Sequence, residues 1–238
     1  MRVKIVFSYD GSKFCGLQRQ KKERTVQKEI ENALLAIYHE EILIKAAGRT
    51  DAGVHANRQV AHFDVKSLNS NLKRELNNLL LPDIYIKELT KVSDNFHARH
   101  DVKKKEYIYK INIGPYKAAL NSYMLQPRYK IDIKLLKETA KIFVGTHNFR
   151  NYVSGTRDNY EATIDCIKFR KMFNTLEIHF IGRGFYRYMV RNLVGALLEV
   201  AKCNVYPEIL KKMLENPDVK KTLPTAPPEG LYLNKIWY

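Results

Sequence analysis

Cysteine is scarce in this chain, and the three that occur, Cys15, Cys166 and Cys203, lie far apart with no CxxC pair. That spacing argues against a disulfide framework and against a zinc ribbon. Long apolar runs are missing too: none approaches the roughly 20 residues that a spanning helix requires, and the longest is interrupted by Glu199. The opening stretch MRVKIVFSYDG breaks at Ser8 and Asp10, before it reaches the length of a signal-peptide core. No long Gly/Ser linker separates one part of the chain from another, so any two halves share a continuous sheet or a tight interface. Acid is in deficit, with 25 Asp and Glu against 41 Lys and Arg, a net charge of +16. These absences lead to the expectation of a reduced, cytoplasmic protein with no membrane span and no bound metal, whose excess charge meets a polyanion.

The composition, 45% hydrophobic and 11% aromatic, is that of a globular protein rather than a disordered basic tail or a rod. Its length suffices for a core that buries about 70% of the unfolded surface. The charge is uneven: residues 1–100 carry 17 basic and 12 acidic groups, whereas 101–150 carry 11 and 4. Within that basic stretch Lys103, Lys104 and Lys105 run directly into Tyr107 and Tyr109. Cations beside aromatic faces suit phosphates and stacked bases, although lysine runs also serve as solvated surfaces.

Val3, Ile5 and Phe7 alternate as in a half-buried strand, which Asp10-Gly11 ends. Thr25 is a candidate N-cap for a helix carrying Val26, Ile30, Ala33, Leu34 and Ile37. A short strand is expected over Ile42 to Lys45, then a glycine-bracketed loop, then a strand through Val60, His62 or Phe63, and Val65. A similar order recurs: a Lys/Tyr strand near 105–113, a helix near 133–144, and strands near 163–170 and 175–182. A final helical region near 185–203, the stretch Pro207 to Leu214, the Pro-rich segment Pro224 to Gly230 and a strand Leu231 to Tyr238 complete the chain. The pattern predicts an α/β (α+β) fold of two similar halves, 1–103 and 104–238.

The loop Gly48-Arg49-Thr50-Asp51-Ala52-Gly53-Val54-His55 is the most informative stretch. Its glycines permit tight turns, and a guanidinium one residue from a carboxylate can hold that carboxylate ionised and oriented. An ionised Asp can act as a nucleophile, yet the same residues also make a simple turn between strands. Farther on, Arg183, Arg187 and Arg191 recur every fourth residue ahead of Val190, Val194 and Leu197. On one helix they would form a basic stripe, facing phosphate, a buried carboxylate or water. In Phe96-His97-Ala98-Arg99-His100 the two histidines lack a third ligand nearby, so metal binding is not expected. His55 and His62 read as hydrogen-bonding residues. These features alone also admit a non-catalytic RNA-binding module, or a hydrolase using Asp51 with His55 or His97.

Taken together, Tyr9-Asp10-Gly11, Gly16-Leu17-Gln18, Thr25-Val26-Gln27, Gly48 to Ala56, Gln59-Val60, Phe96 to Arg99, Tyr107 with Tyr109, Met189-Val190-Arg191 with Gly195, and Pro228 with Gly230-Leu231 resemble the TruA-type tRNA pseudouridine synthases. The resemblance covers nearly the whole chain. It departs from the family pattern at Leu17, where many members have Trp, at Arg58, where Gly is frequent, and at Tyr188, where His is common. It implies isomerisation of uridine to pseudouridine at positions 38, 39 and 40 of the tRNA anticodon stem-loop, without a cofactor. It further implies Asp51 as catalytic nucleophile in the 48–56 loop, with Arg49 and Arg191 beside it in the catalytic set. Tyr107 would pack on the target base. Apart from the resemblance, Arg183, Arg187 and His55 are expected to bind substrate. The implied architecture is two halves sharing a mixed, largely antiparallel sheet, with helices on one face and a basic cleft between the halves. The implied assembly is a homodimer with one tRNA touching both subunits.

Overall fold

The structure, a computed structural model, describes residues 1–217 and 223–238. Alternation of Val3, Ile5 and Phe7 with Arg2, Lys4 and Ser8 builds β1 (Arg2–Tyr9), whose apolar side is fully buried. Thr25 caps α1 (Val26–Tyr38) by accepting the Lys28 N–H, and α1 ends where His39 adopts φ +57°. Next comes β2 (Lys45–Ala46), shorter than and displaced from the expected Ile42 to Lys45 strand. The reason is a competing acceptor: the Ile44 N–H donates to the Glu31 carboxylate at 3.0 Å, not to a neighbouring strand. β3 (His55–Asp64) follows. Two elements that the sequence reading leaves blank come after it, α2 (Leu72–Leu80) and β4 (Ile84–Val92). The Asn77 side chain ties them, donating to the Ile86 carbonyl at 3.1 Å and accepting the Ile86 N–H at 2.7 Å. β1 lies between β3 and β4, antiparallel to both, and β2 extends the sheet on β3. Ile30, Leu34, Leu72 and Leu76, all without exposure, close the core over Ile5 and Phe7.

The strand–helix–short strand–long strand order then recurs. β5 (Lys104–Asn112) leads to α3 (Ile133–Ala140), which tightens into a 3-10 turn at Lys141–Phe143 in place of a continuous helix to 144. β6 (Gly145–Asn148), β7 (Glu161–Met172) and β8 (Thr175–Gly182) complete a sheet ordered β5-β8-β7-β6, antiparallel at β5–β8, β7–β8 and β6–β7. α4 (Met189–Ala201) buries ten of its thirteen residues, Leu193, Val194 and Leu197 among them, and α5 (Pro207–Glu215) starts with proline at its first turn. Each fully buried Leu, Ile or Phe contributes roughly 1.5–3 kcal/mol of hydrophobic stabilisation.

Chain contacts divide the protein into two compact units, Met1–Lys103 with Tyr232–Tyr238, and Lys104–Leu231. The last stretch therefore belongs with the first unit and not with a continuous 104–238 half. The cause is local pairing: β9 (Leu231–Trp237) runs parallel to β3, with His55 opposite Tyr232 and Ala56 opposite Leu233. The Lys103 N–H donates to the Trp237 carbonyl at 2.8 Å, and the Tyr238 hydroxyl to the Ala98 carbonyl at 2.6 Å. The fold is mixed α/β with nine largely antiparallel strands among the described residues.

Candidate active site

In the first unit, the segment from Gly48 to Val54 connects β2 to β3. Arg49 is exposed, Thr50 is buried and Asp51 is half-buried. Thr50 points inward, and its hydroxyl pairs with the Tyr9 hydroxyl at 2.7 Å. Burial pushes the Tyr9 phenol up to about 12, against the opposing pull of hydrogen bonds with Thr50 and Gln59, so it stays protonated at neutral pH. Gln59, with no exposure, donates from Nε2 to the Gly48 carbonyl at 3.0 Å. The Leu17 N–H donates to the Thr50 carbonyl at 3.2 Å, and the Val54 N–H to the Asp51 carbonyl at 3.2 Å. Two glycines permit this closeness. A Cβ on Gly11 would lie 2.1 Å from the Val54 oxygen, and one on Gly16, where φ is +92°, 2.9 Å from the Thr50 oxygen. The backbone on both sides of Asp51 is thus tied to the strand core, and the carboxylate is displayed from a rigid turn.

His55 opens β3 only 2% exposed, its ring stacked on Tyr232 at 4.6 Å. Its Nδ1 accepts the Gly11 N–H at 3.0 Å. Asp10 Oδ1 lies 3.4 Å from the same nitrogen, which, as an acceptor, has no proton to give it. Buried in this way, His55 secures the end of the loop as a hydrogen-bonding residue, which differs from the expected substrate contact.

The Phe96-to-His100 segment serves structure. The Ala98 N–H donates to His62 Nδ1 at 3.1 Å, Arg2 donates to the Phe96 carbonyl at 2.9 Å, and His97 Nδ1 accepts from the Arg99 and His100 amides. Burial, reinforced by Arg2, holds His62 down at about 4, so it is neutral. Among the described residues no group of three or more His, Cys, Asp or Glu side chains is placed to hold a metal ion.

In the second unit Tyr107 sits on β5, 8% exposed, with Phe185 edge-on to its ring at 5.3 Å. The arginines do not form the helical stripe that their spacing suggests. Arg183 and Arg187 are exposed residues in the connection from β8, where Tyr188 takes φ +61°, and only Arg191 lies on α4. Gly182 and Gly184 keep the chain out of helix there, since glycine lowers helix propensity. Arg187 and Arg191 instead flank the Tyr188 ring at 5.0 and 4.9 Å. Arg191 is held by segment 223–226: its Nε donates to the Ala226 carbonyl at 2.8 Å, and the Ala226 N–H donates back to the Arg191 carbonyl at 3.1 Å. Gly195 makes this docking possible, because a Cβ there would lie 1.8 Å from the Pro224 oxygen. Of the three lysines before Tyr107, Lys104 is paired with Asp165 at 2.8 Å.

The supports that sequence reasoning left without roles are Tyr9, Thr50, Gln59 and the 223–226 segment. Two of them stand beside residues the sequence does place: Thr50 lies between Arg49 and Asp51 of the glycine-bracketed loop, and Gln59 is opposite Phe7 one strand over.

A family model described as tRNA pseudouridine synthase matches residues 5–101 and 139–238. The tRNA pseudouridine synthase A of Thermotoga sp. (strain RQ2) is 40% identical over 243 residues, spanning 100% of this chain and 99% of its own. That of Thermodesulfovibrio yellowstonii is 37% identical over 253 residues, covering 100% of both chains. That of Pseudothermotoga lettingae is 40% identical over 241 residues, covering 99% of this chain and 98% of its own.

Proposed function

The chain belongs to the tRNA pseudouridine synthase family, and from that premise we propose that it isomerises uridine at positions 38, 39 and 40 of the tRNA anticodon stem-loop, with Asp51 as nucleophile. The observation that carries this reading is the turn holding Asp51, fixed by the Tyr9–Thr50 pair and by backbone hydrogen bonds to the Thr50 and Asp51 carbonyls. The reaction breaks the ribose C1′–N1 bond and forms C1′–C5. The proton lost from C5 is matched by one gained at N1, so no atoms or electrons are exchanged with a co-reactant. The Asp51 carboxylate attacks C1′ as the uracil leaves, the base turns, and C5 displaces the carboxylate.

The target base must leave its stack, at a cost of a few kcal/mol. Tyr107, braced edge-on by Phe185, receives it. Arg49 and Arg191 complete the catalytic set, Arg191 entering on the strength of the Met189-Val190-Arg191 motif, and Arg183 and Arg187 take phosphates. His55 acts through the loop by fixing its end. We further propose a homodimer working in the cytoplasm; no described helix is long and apolar enough to cross a membrane.

Tritium release from tRNA labelled at uridine C5 tests the reading, since only isomerisation frees that label. The wild-type protein is expected to release it at the three positions. Asp51→Asn should abolish release while tRNA affinity changes by less than about tenfold, about 1.4 kcal/mol. Retained turnover in that variant would overturn the assignment of Asp51.

A further inference from the structure

The hairpin joining β7 to β8 turns through Phe173 and Asn174, with Met172 opposite Thr175. Phe173 is 97% exposed. Its φ is +48°, in the left-handed region, where the first residue of a two-residue hairpin turn is usually Asn, Asp or Gly. A bulky aromatic there is an outlier. The ring buries almost nothing in its own unit and the backbone pays a strain cost for it, so neither packing nor turn preference accounts for a Phe at this position.

The tip is nonetheless well held. The Ile113 N–H donates to the Asn174 carbonyl at 2.8 Å, and Gly114 lies so close that a Cβ would come within 2.4 Å of the Asn174 side chain. The chemistry around the ring is one-sided. Residues 168–174 include Lys168, Arg170 and Lys171, all exposed, and no carboxylate. Glu177, across the strand pair from Arg170, sits 4.0 Å from Lys110 and 3.4 Å from His179 Nε2. On the segment just past Gly114, Tyr116 is 58% exposed.

A rigid, exposed aromatic ring beside unbalanced cations fits a partner with π-faces and a phosphate backbone. Base–aromatic stacking with backbone neutralisation is the way unpaired nucleotides are held. Two copies of this tip would repel each other instead. We propose that the β7–β8 hairpin tip is a second RNA-contact point, separate from the catalytic loop, where Phe173 stacks on an unpaired base of the tRNA and Lys168, Arg170 and Lys171 take the flanking phosphates. This rests on the reading of the protein as a tRNA-modifying enzyme.

The decisive variant is Phe173→Asn, which removes the ring while placing at the turn a residue that tolerates left-handed backbone. Its thermal midpoint should therefore equal or exceed that of the wild type, so a binding defect cannot be put down to unfolding. Against full-length transcribed tRNA, its Kd should rise about 5- to 150-fold, the span measured for loss of one stacked base. Phe173→Trp should stay within about twofold. Lys171→Ala should flatten the salt dependence of binding by about one unit of log–log slope. A Kd for Phe173→Asn within about twofold of wild type overturns the proposal. So does a variant that keeps its tRNA affinity but loses self-association in gel filtration, which would make the tip a contact between copies. Wild-type activity on the same tRNA separates the two readings: no pseudouridine formed would sink the functional reading, whereas product formed with unchanged Phe173→Asn binding sinks only this one.

Discussion

Thr50 has no part in the proposed chemistry, yet it stands between Arg49 and Asp51, which do. Its hydroxyl and that of Tyr9 form a buried pair, so removing one partner takes a buried hydrogen bond from the other, leaving Tyr9 only its bond with Gln59, at about 1–3 kcal/mol. Thr50→Val and Tyr9→Phe should each lower stability by about that much and reduce turnover by loosening the turn under Asp51. The double variant should cost clearly less than the sum of the singles, because the second change removes a group already orphaned. A double-mutant cycle by chemical denaturation measures this; strict additivity would show that the two hydroxyls act independently.

At the scale of elements, α4 is positioned by what docks on it. The 223–226 segment reaches the helix through the two Arg191–Ala226 hydrogen bonds and through Thr225, which donates to Asn192 Oδ1 at 2.7 Å. Gly195 supplies the room for it. Gly195→Ala would favour the helix intrinsically, but its methyl group meets the Pro224 carbonyl and forces the segment away. The expected net result is a loss of about 1–3 kcal/mol, the usual cost of overpacking, seen as a lower thermal midpoint, together with reduced turnover as Arg191 loses its fixed direction. A variant as stable as wild type would show that the segment can shift without cost. The spacing of Arg183, Arg187 and Arg191 suggested one basic stripe because four-residue periodicity is the helical signal. The left-handed Tyr188 and the glycines at 182 and 184 override it, and only Arg191 is helical.

For the whole molecule the dominant quantity is the net charge of +16. A protein that neutralises several phosphates releases as many counterions, so tRNA affinity should fall by about a hundredfold or more between about 50 and 200 mM salt. Filter binding across that range checks it, and a flat response would mean that the excess charge does not face the RNA. In the proposed function this charge holds the RNA, and the proposed nucleophile, Asp51, is an acidic side chain in a loop whose exposed neighbour Arg49 is basic.

Much of this was legible from the residues. The period-two pattern of β1, the Thr25 cap of α1, the Lys/Tyr strand and the GRTDAGVHA loop are local signals, produced by interactions between residues near one another in the chain. The α2–β4 pair escaped notice, and its tie runs through Asn77 to Ile86. The displacement of β2 depended on Glu31 capturing the Ile44 amide, and the assignment of the last strand on parallel pairing with β3. The exposure of Phe173 depended on how a hairpin is gripped from β5. The sequence by itself determined the motifs from which the site is proposed and most of the elements that carry them. Tertiary structure alone decided which backbone groups found distant partners, because hydrogen bonds and close approaches between residues many positions apart form only once the chain has folded.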